Sequence, residues 1–300
     1  MSTARVIADY GAEYLVEDAE PPRRAVARHC DPAVGDWVTL DGPFITEVLP
    51  RRTVFSRRAA GDQNREQVLA ANVDVAFVVA AAIDVNQRRL ERYLTIAWQS
   101  GASPVVVVTK ADLAAVSPPE VAVPVIVTSS VTGEGIEAIE RELAPDKTGV
   151  LLGPSGVDKS TLINRILGAE LLRTREIHTL SGQGRHMTSH RQLVHLPGGG
   201  MIIDTPGLRE AQLWEGDEAL AAVFDDVEEL ALRCRFSDCR HETEPGCAVK
   251  AVISPERLRS YFKLKRELRA IAAKSNTRIR IEDRKKWKRI ITAARQRARP

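Results

Sequence analysis

The segment from Gly153 to Thr161, G-P-S-G-V-D-K-S-T, has the residue types of a loop that binds phosphate. It follows an apolar run and opens a predicted helix, which is the context that a Walker A loop requires. Lys159 would reach the β- and γ-phosphates and Ser160 would ligate Mg²⁺. Asp158 stands where the pattern has its second glycine, and we expect it to weaken binding. The residues expected to lie against phosphate are Gly153, Ser155, Gly156, Val157, Asp158, Lys159, Ser160 and Thr161.

A second motif, T-K-A-D at residues 109–112, follows a strand of four valines. The Asp112 carboxylate can accept hydrogen bonds from guanine N1 and N2, while the stem of Lys110 packs on the ring. Adenine offers no such pair of donors, so the motif favours GTP over ATP. Lys-x-Asp alone is common in surface loops, but here a second strand ends in Thr128-Ser129-Ser130, whose amides can reach guanine O6. The residues of this predicted base site are Thr109, Lys110, Asp112, Ser129 and Ser130.

A third motif, D-T-P-G at residues 204–207, ends another apolar strand. Asp204 can hold the Mg²⁺ shell, and the Gly207 amide can meet a γ-phosphate. The order of the motifs differs from that of ordinary GTPases, because the base motifs precede the phosphate loop. All of them still follow strands of an α/β sheet, whose carboxyl ends bind ligands. A circular permutation preserves such a site and changes only where the chain begins.

Four residues near the carboxyl end, with the spacing C-x4-C-x-H-x5-C, have the types and spacing of metal ligands. Three thiolates and one imidazole suit a structural, tetrahedral Zn²⁺ site. Because the four residues lie within 14 positions, we prefer metal binding to free cysteines. The predicted ligands are Cys234, Cys239, His241 and Cys247.

These motifs lie on elements that the patterning of the chain predicts. Residues 1 to about 58 alternate short strands with tight turns, which indicates a small β-barrel or sandwich, and 51–64 are polar enough for a linker. Apolar strands then alternate with helices, which predicts a mostly parallel sheet covered on both faces. Beyond Trp214 we expect helices around the cysteine-rich loop.

Charge is distributed unevenly along the 300 residues. From Pro255 to Pro300 there are 17 Lys/Arg and 4 Asp/Glu, whereas the other 254 residues hold 26 basic and 36 acidic residues. A basic tail on an acidic body points to a polyanionic partner, although a solvated helical face has a similar composition. No apolar run is long enough to span a membrane and no signal peptide is evident, so we expect a soluble, cytoplasmic protein.

Taken together, these motifs resemble the circularly permuted, ribosome small-subunit-dependent GTPase A family of bacteria. The resemblance extends from about Val34 to Lys265 and includes Q-V-L-A-A-N-V-D at 67–74 and G-R-H at 184–186. It implies an OB-fold barrel over 1–58, a circularly permuted P-loop α/β GTPase domain over 59–213, and an α-helical zinc-binding domain with a basic tail over 214–300. It also implies a monomer that acts in late maturation of the small ribosomal subunit. Its partners would be GTP or GDP with Mg²⁺, and the small subunit with its rRNA. The subunit would stimulate hydrolysis, and no membrane would be involved.

The segment 182–191 lies where a switch that senses the γ-phosphate belongs, and Thr188 is the expected second Mg²⁺ ligand. Leu208 follows Gly207, where many GTPases place the glutamine that orients water. Another group must take that role, and the resemblance favours a switch histidine, either His186 or His190; Lys159 completes the catalytic set. An alternative remains open, in which Asp158 leaves a ribosome-binding module with impaired nucleotide turnover. An ATP-using enzyme and a zinc-dependent RNA binder leave the base motifs unexplained.

Overall fold

The structure, a computed structural model, describes residues 1–19, 21–59, 62–116, 118–168, 191–204, 213 and 217–275. The chain folds as two compact units, Met1–Gln212 and Leu213–Pro300. The finer domain boundaries that the sequence suggests, at 58/59 and 213/214, stay predictions. No helix among the described residues is both long enough and apolar enough to cross a bilayer.

A closed barrel of five strands begins the first unit. Its strands are β1 (Ser2–Asp9), β2 (Tyr14–Glu17), β3 (Arg23–Ala27), β4 (Trp37–Asp41) and β5 (Phe44–Val48). They pair in the order β1-β2-β3-β5-β4, and β1 closes the barrel by pairing with β4. Alternate side chains fill its interior, including the buried Val6, Val38 and Ile45. This architecture confirms the predicted OB-like barrel.

A β-hairpin follows the barrel. Its strands are β6 (Val54–Ala59) and β7 (Asp62–Ala71), which pair antiparallel. The interpretation of 51–64 as a linker is therefore wrong, since most of that segment is paired strand. Phe55 and Leu69 are 1% and 0% exposed. Burial of these two side chains, far apart in sequence, orders a segment whose composition is polar.

A six-stranded α/β sheet forms the rest of the first unit. Its strands are β8 (Val75–Ala81), β9 (Ser103–Thr109), β10 (Val125–Val127), β11 (Thr148–Leu152), β12 (Arg191–His195) and β13 (Met201–Asp204). The helices between them are α1 (Gln87–Ser100), α2 (Ile136–Leu143) and α3 (Lys159–Leu167). The order is β10-β9-β8-β11-β13-β12, with every pair parallel except β12–β13. The parallel sheet and its crossover helices confirm the predicted α/β domain.

The barrel and the α/β sheet share hydrogen bonds, because β1 also pairs antiparallel with β12. Arg191 forms an ion pair with Asp9 at 3.3 Å beside this pairing. Arg5, which is 7% exposed, donates to Thr148 Oγ1 at 2.7 Å. Backbone pairing and largely buried polar contacts thus join the two parts of this unit.

The second unit is helical. Its helices are α4 (Glu218–Val223), α5 (Asp225–Ala231), α6 (Ala248–Val252) and α7 (Pro255–Ser275). Phe224 and Val227 are 0% exposed, and Tyr261 packs edge-on against Phe224. Arg257 on α7 binds both carboxylate oxygens of Asp226 at 2.7 and 2.8 Å. An apolar core and a bidentate ion pair therefore hold α7 to the shorter helices.

Candidate nucleotide and metal sites

The predicted base and phosphate motifs follow neighbouring strands at one edge of the α/β sheet. Thr109 ends β9, and the loop 153–158 follows β11, with β8 between the two strands. These strands are parallel, so their carboxyl ends meet at the same edge, where α/β sheets bind ligands. Lys110 has φ 59°, a left-handed conformation in which the chain turns out of β9. The permuted chain order thus produces one contiguous edge.

Two hydrogen-bonded bridges join the base motif to the phosphate loop. The wholly buried Thr109 hydroxyl lies 2.9 Å from the Val157 carbonyl oxygen and 3.2 Å from that of Ala80. The ammonium of Lys110 donates to the Gly156 carbonyl oxygen at 2.9 Å. These two contacts therefore join residues that lie 48 and 46 positions apart in the sequence. The sequence placed Thr109 in the site but did not reveal this bridging role.

A short hydrogen bond orients the Asp112 carboxylate. The Ser129 hydroxyl donates to Asp112 Oδ1 at 2.5 Å and accepts the amides of Val131 and Thr132, each at 3.2 Å. Asp112 itself is exposed, while Ser129 and the following Ser130 are buried. A carboxylate fixed by a buried hydroxyl at the mouth of the site is suited to accept two donors from a planar base.

Glycine and lysine shape the phosphate loop. A Cβ at Gly153, where φ is 152°, would lie 2.6 Å from the Val79 carbonyl oxygen, so any larger residue would displace the loop. The Lys159 ammonium donates to the carbonyl oxygens of Gly153 and Pro154 at 2.8 and 2.6 Å. The loop therefore curls around the lysine at the start of α3, an arrangement suited to a polyphosphate.

Asp158 occupies the N-cap of α3 in a left-handed conformation, with φ 74° and ψ 21°. Its side chain makes no capping hydrogen bond to the helix. Left-handed backbone costs a residue with a Cβ about 1–2 kcal/mol, somewhat less for aspartate and least for glycine. The glycine of the usual pattern is thus favoured by the backbone as well as by space near the phosphate.

The remaining predicted nucleotide contacts are partly described. Ser160 and Thr161 lie in the first turn of α3, and Asp204 ends β13, which pairs with β11. Ser155 is exposed on the phosphate loop. Asp204 therefore ends the strand beside the one that leads into this loop. Four predicted residues lie outside the described residues, namely His186, Thr188, His190 and Gly207.

In the second unit, the four predicted metal ligands come together. The ligand atoms of Cys234, Cys239, His241 and Cys247 all lie within 4.8 Å of one another. Cys234 Sγ lies 3.6 Å from His241 Nδ1 and 3.9 Å from Cys247 Sγ, and Cys247 Sγ lies 3.4 Å from Nδ1. This Cys3His cluster can hold a metal ion.

Burial shifts the pKa values of two of the four predicted metal ligands. Burial, followed by the thiols of Cys247 and Cys234, raises the pKa of Cys239 to about 11. Burial, and then the positive charge of Lys265, lowers the pKa of His241. Both effects favour the neutral imidazole, the form that binds a metal ion. Binding a cation would require the thiols to lose protons, so its affinity rises with pH.

Glu244 organises the metal loop, a role that sequence reasoning missed. Its carboxylate accepts the amides of Arg240, Glu242 and Thr243 at 3.0–3.1 Å. Hydrogen bonds from its own amide and from that of Arg240 contribute most to lowering its pKa to about 2. The depressed pKa means that this stabilisation is complete above about pH 4.3, the ordinary value, and is lost as pH falls through 2. The signal in the sequence was a glutamate directly before Pro245-Gly246.

The fold and the order of the motifs along this sheet edge define a circularly permuted P-loop GTPase. The sequence model of a family described as RsgA GTPase matches residues 48–214, more than half of the chain. Two relatives, both named as small ribosomal subunit biogenesis GTPases, agree with this match. The Oceanobacillus iheyensis protein RsgA 1 is 43% identical over 89% of this chain and 82% of its own. The Opitutus terrae protein RsgA is 46% identical over 89% of this chain and 81% of its own. The chain therefore belongs to the RsgA GTPase family.

Solved structures agree with the architecture. YjeQ from Thermotoga maritima has a TM-score of 0.63 and 26% identity, covering 89% of this chain and 98% of its own. YloQ, described as a circularly permuted GTPase, has a TM-score of 0.61 and covers 90% of this chain and 96% of its own. Its identity of 22% supports the fold alone.

Proposed function

We propose that this protein binds and hydrolyses GTP as a factor for late maturation of the small ribosomal subunit, and that the subunit stimulates hydrolysis. One observation carries the nucleotide part of the proposal: Lys110 and Thr109 reach the backbone of the phosphate loop at 2.9 Å. A guanine held by Asp112 would therefore lie next to a triphosphate held by that loop. The names of the family and of its relatives support the ribosomal part.

In this proposal the base and the phosphates have separate sets of contacts. Asp112 accepts guanine N1–H and N2–H, and the amides of Ser129 and Ser130 face O6. Lys159 exchanges its loop carbonyls for phosphate oxygens and offsets the charge that develops during hydrolysis. Ser160, Thr188 and Asp204 would hold Mg²⁺, which supplies charge neutralisation at the phosphates when bound. His186 or His190 orients the attacking water, since Leu208 cannot.

The Cys3His cluster suits Zn²⁺ in this proposal. Tetrahedral zinc has Zn–S bonds of about 2.3 Å and Zn–N bonds of about 2.0 Å, so its ligands stand roughly 3.8 Å (S–S) and 3.5 Å (S–N) apart. The 3.9 Å between Cys234 and Cys247, and the 3.6 and 3.4 Å to His241, fit those edges. Three thiolates and one imidazole leave no open position, which indicates a structural ion.

Removing the ion with a chelator should destabilise the second unit. The loop 234–247 would then lose the contacts that hold it, and a loss of about 3 kcal/mol would lower Tm by roughly 12–24 °C in a unit of this size. Thermal unfolding and the zinc released per chain provide the measurement. Cys247→Ser should have the same effect, whereas Cys30→Ser, in the barrel, should retain the ion. An unchanged Tm after complete release would refute a structural role.

RNA is the proposed partner of two regions. The Arg28 guanidinium lies 3.3 Å from the centre of the Phe44 ring, on the barrel surface, and such pairs present both charge and a stacking plane. The basic run beyond Pro255 supplies phosphate contacts. Ribosomal subunits are assembled in the cytoplasm, which is therefore the proposed location, and a monomer is the proposed state.

GTP hydrolysis measured with and without purified small subunits tests the proposal. We expect slow hydrolysis by the protein alone, stimulation at least 10-fold by small subunits, and none by large subunits. Lys159→Ala should abolish both rates while binding to the subunit persists. Subunit binding without any GTP binding or hydrolysis would favour the impaired module that Asp158 suggests.

A further inference from the structure

Ser130 is exceptional within the base site because neither of its donors is used. Its side chain is buried, with the residue 8% exposed, and Oγ has no hydrogen-bond partner among the described residues. The backbone N–H of Ser130 likewise has no acceptor among the residues that the structure describes. A buried polar group without a partner is unfavourable, and native proteins rarely retain one without a reason. The hydroxyl therefore requires an explanation beyond packing.

The neighbouring donors in this loop all have acceptors. The amide of Thr128 donates to the Val108 carbonyl oxygen at 2.8 Å, and that of Ser129 to the Glu134 carbonyl oxygen at 3.0 Å. The amides of Val131 and Thr132 donate to the Ser129 hydroxyl, each at 3.2 Å. The backbone amides on both sides of Ser130 thus have hydrogen-bond acceptors. Two unused donors on one residue point to a ligand acceptor that can take both.

The position of Ser130 indicates which acceptor this is. Ser129, its neighbour, donates to Asp112 at 2.5 Å, so Ser130 directly follows the residue that holds the carboxylate proposed to bind guanine N1 and N2. The next atom along that edge of guanine is O6, an acceptor with two lone pairs. Adenine has an amino group there, whose hydrogens would oppose the Ser130 N–H.

We infer that the Ser130 hydroxyl is a specificity-determining donor to guanine O6, acting beside the Ser130 amide. This inference rests on the proposed function and deepens it, because it assigns the side chain as well as the backbone of Ser130 to the base. The site would then read one edge of guanine completely, with Asp112 accepting two hydrogens and Ser130 donating two.

The test compares Ser130→Ala with the wild-type protein by titration with three diphosphates. Affinity for GDP should fall about 3- to 10-fold, the net effect of one hydrogen bond. The diphosphate of 2-aminopurine riboside lacks O6 and also the N1 hydrogen, so it should bind both proteins more weakly than GDP does, but the substitution should not change its affinity. 7-Deaza-GDP keeps O6 and lacks only N7, so Ser130→Ala should lower its affinity by the same factor as that of GDP. Because Asp158 weakens binding, the titrations are repeated in the Asp158→Gly background.

Ser100→Ala is the matched control, since Ser100 is also 8% exposed but its hydroxyl donates to the Ala97 carbonyl oxygen at 2.7 Å. That variant should lower Tm and leave GDP affinity unchanged. Ser130→Ala should leave the Tm of the nucleotide-free protein unchanged or higher, and a role in packing alone would lower it. Unchanged GDP affinity, or an equal loss with the 2-aminopurine nucleotide, would overturn the inference. Absence of GDP binding in both backgrounds would instead overturn the proposed function, and this inference with it.

Discussion

The Asp158→Gly protein should bind GDP and GTP about 5- to 150-fold more tightly than the wild-type protein. A carboxylate at this position of the loop lies where the β-phosphate is expected. Two unit charges 4 Å apart repel by roughly 4 kcal/mol at an effective dielectric of 20. Neutralisation by Lys159 and Mg²⁺ reduces the expected penalty to about 1–3 kcal/mol. Calorimetric titration at several Mg²⁺ concentrations measures the change.

The backbone at residue 158 adds a second effect of the same substitution. Glycine adopts φ 74° without the steric cost that a Cβ incurs, so the nucleotide-free protein should gain up to about 1 kcal/mol of stability. Thermal unfolding without nucleotide therefore measures the backbone effect separately from the binding effect. Both effects favour the glycine variant, which should be more stable without nucleotide and should bind nucleotide more tightly.

Asp158→Asn is the matched control because asparagine is similar in size and tolerates left-handed backbone, but carries no charge. If charge repulsion dominates, Asp158→Asn should recover most of the affinity that Asp158→Gly gains. If crowding dominates, only the glycine variant should bind tightly. Identical titration curves for the wild-type and glycine proteins would contradict the placement of Asp158 beside the phosphates.

Asp112→Asn should reduce GDP affinity by about 10³-fold or more, because the bound base covers this pair and a site that pairs polar groups with its ligand rejects a mismatch strongly. The asparagine amide would set one N–H group against the N2 amine of guanine, leaving two donors facing each other. The Ser129 hydroxyl, 2.5 Å from the carboxylate, would still hold the side chain in place. Xanthine carries an oxygen at position 2, so xanthosine diphosphate should bind the variant better than GDP does.

Competition between GDP and xanthosine diphosphate in fluorescence titrations measures this exchange of preference. Asp146→Asn is the control, because Asp146 is exposed like Asp112 and lies just before β11, at the opposite end of that strand from the phosphate loop. It should not alter either affinity. Equal binding of GDP by Asp112→Asn and the wild-type protein would refute the assignment of Asp112 to the base.

Much of the architecture was predictable from local patterns. A helix was predicted to open at the end of the phosphate loop, and α3 begins there, at Lys159. The valine run 105–108 predicted a buried strand, which the structure has. The spacing C-x4-C-x-H-x5-C predicted a cluster of metal ligands, and the four side chains do lie together. The segment 51–64 was misinterpreted because a polar composition does not reveal that 54–59 pairs with 62–71 as a hairpin in which Phe55 and Leu69 are buried.

The sequence by itself determined the chemistry available to this protein: the residue types of the phosphate loop, the guanine motif and the metal ligands, and the shuffled order in which they occur. Only the tertiary structure decided how these groups act on one another. It set the left-handed backbone at Asp158, the bridges from Thr109 and Lys110, the three amides on Glu244 and the unused donors of Ser130. The physical reason is that motifs depend on local spacing, whereas hydrogen-bond satisfaction and backbone strain depend on which distant segments the sheet brings to one edge.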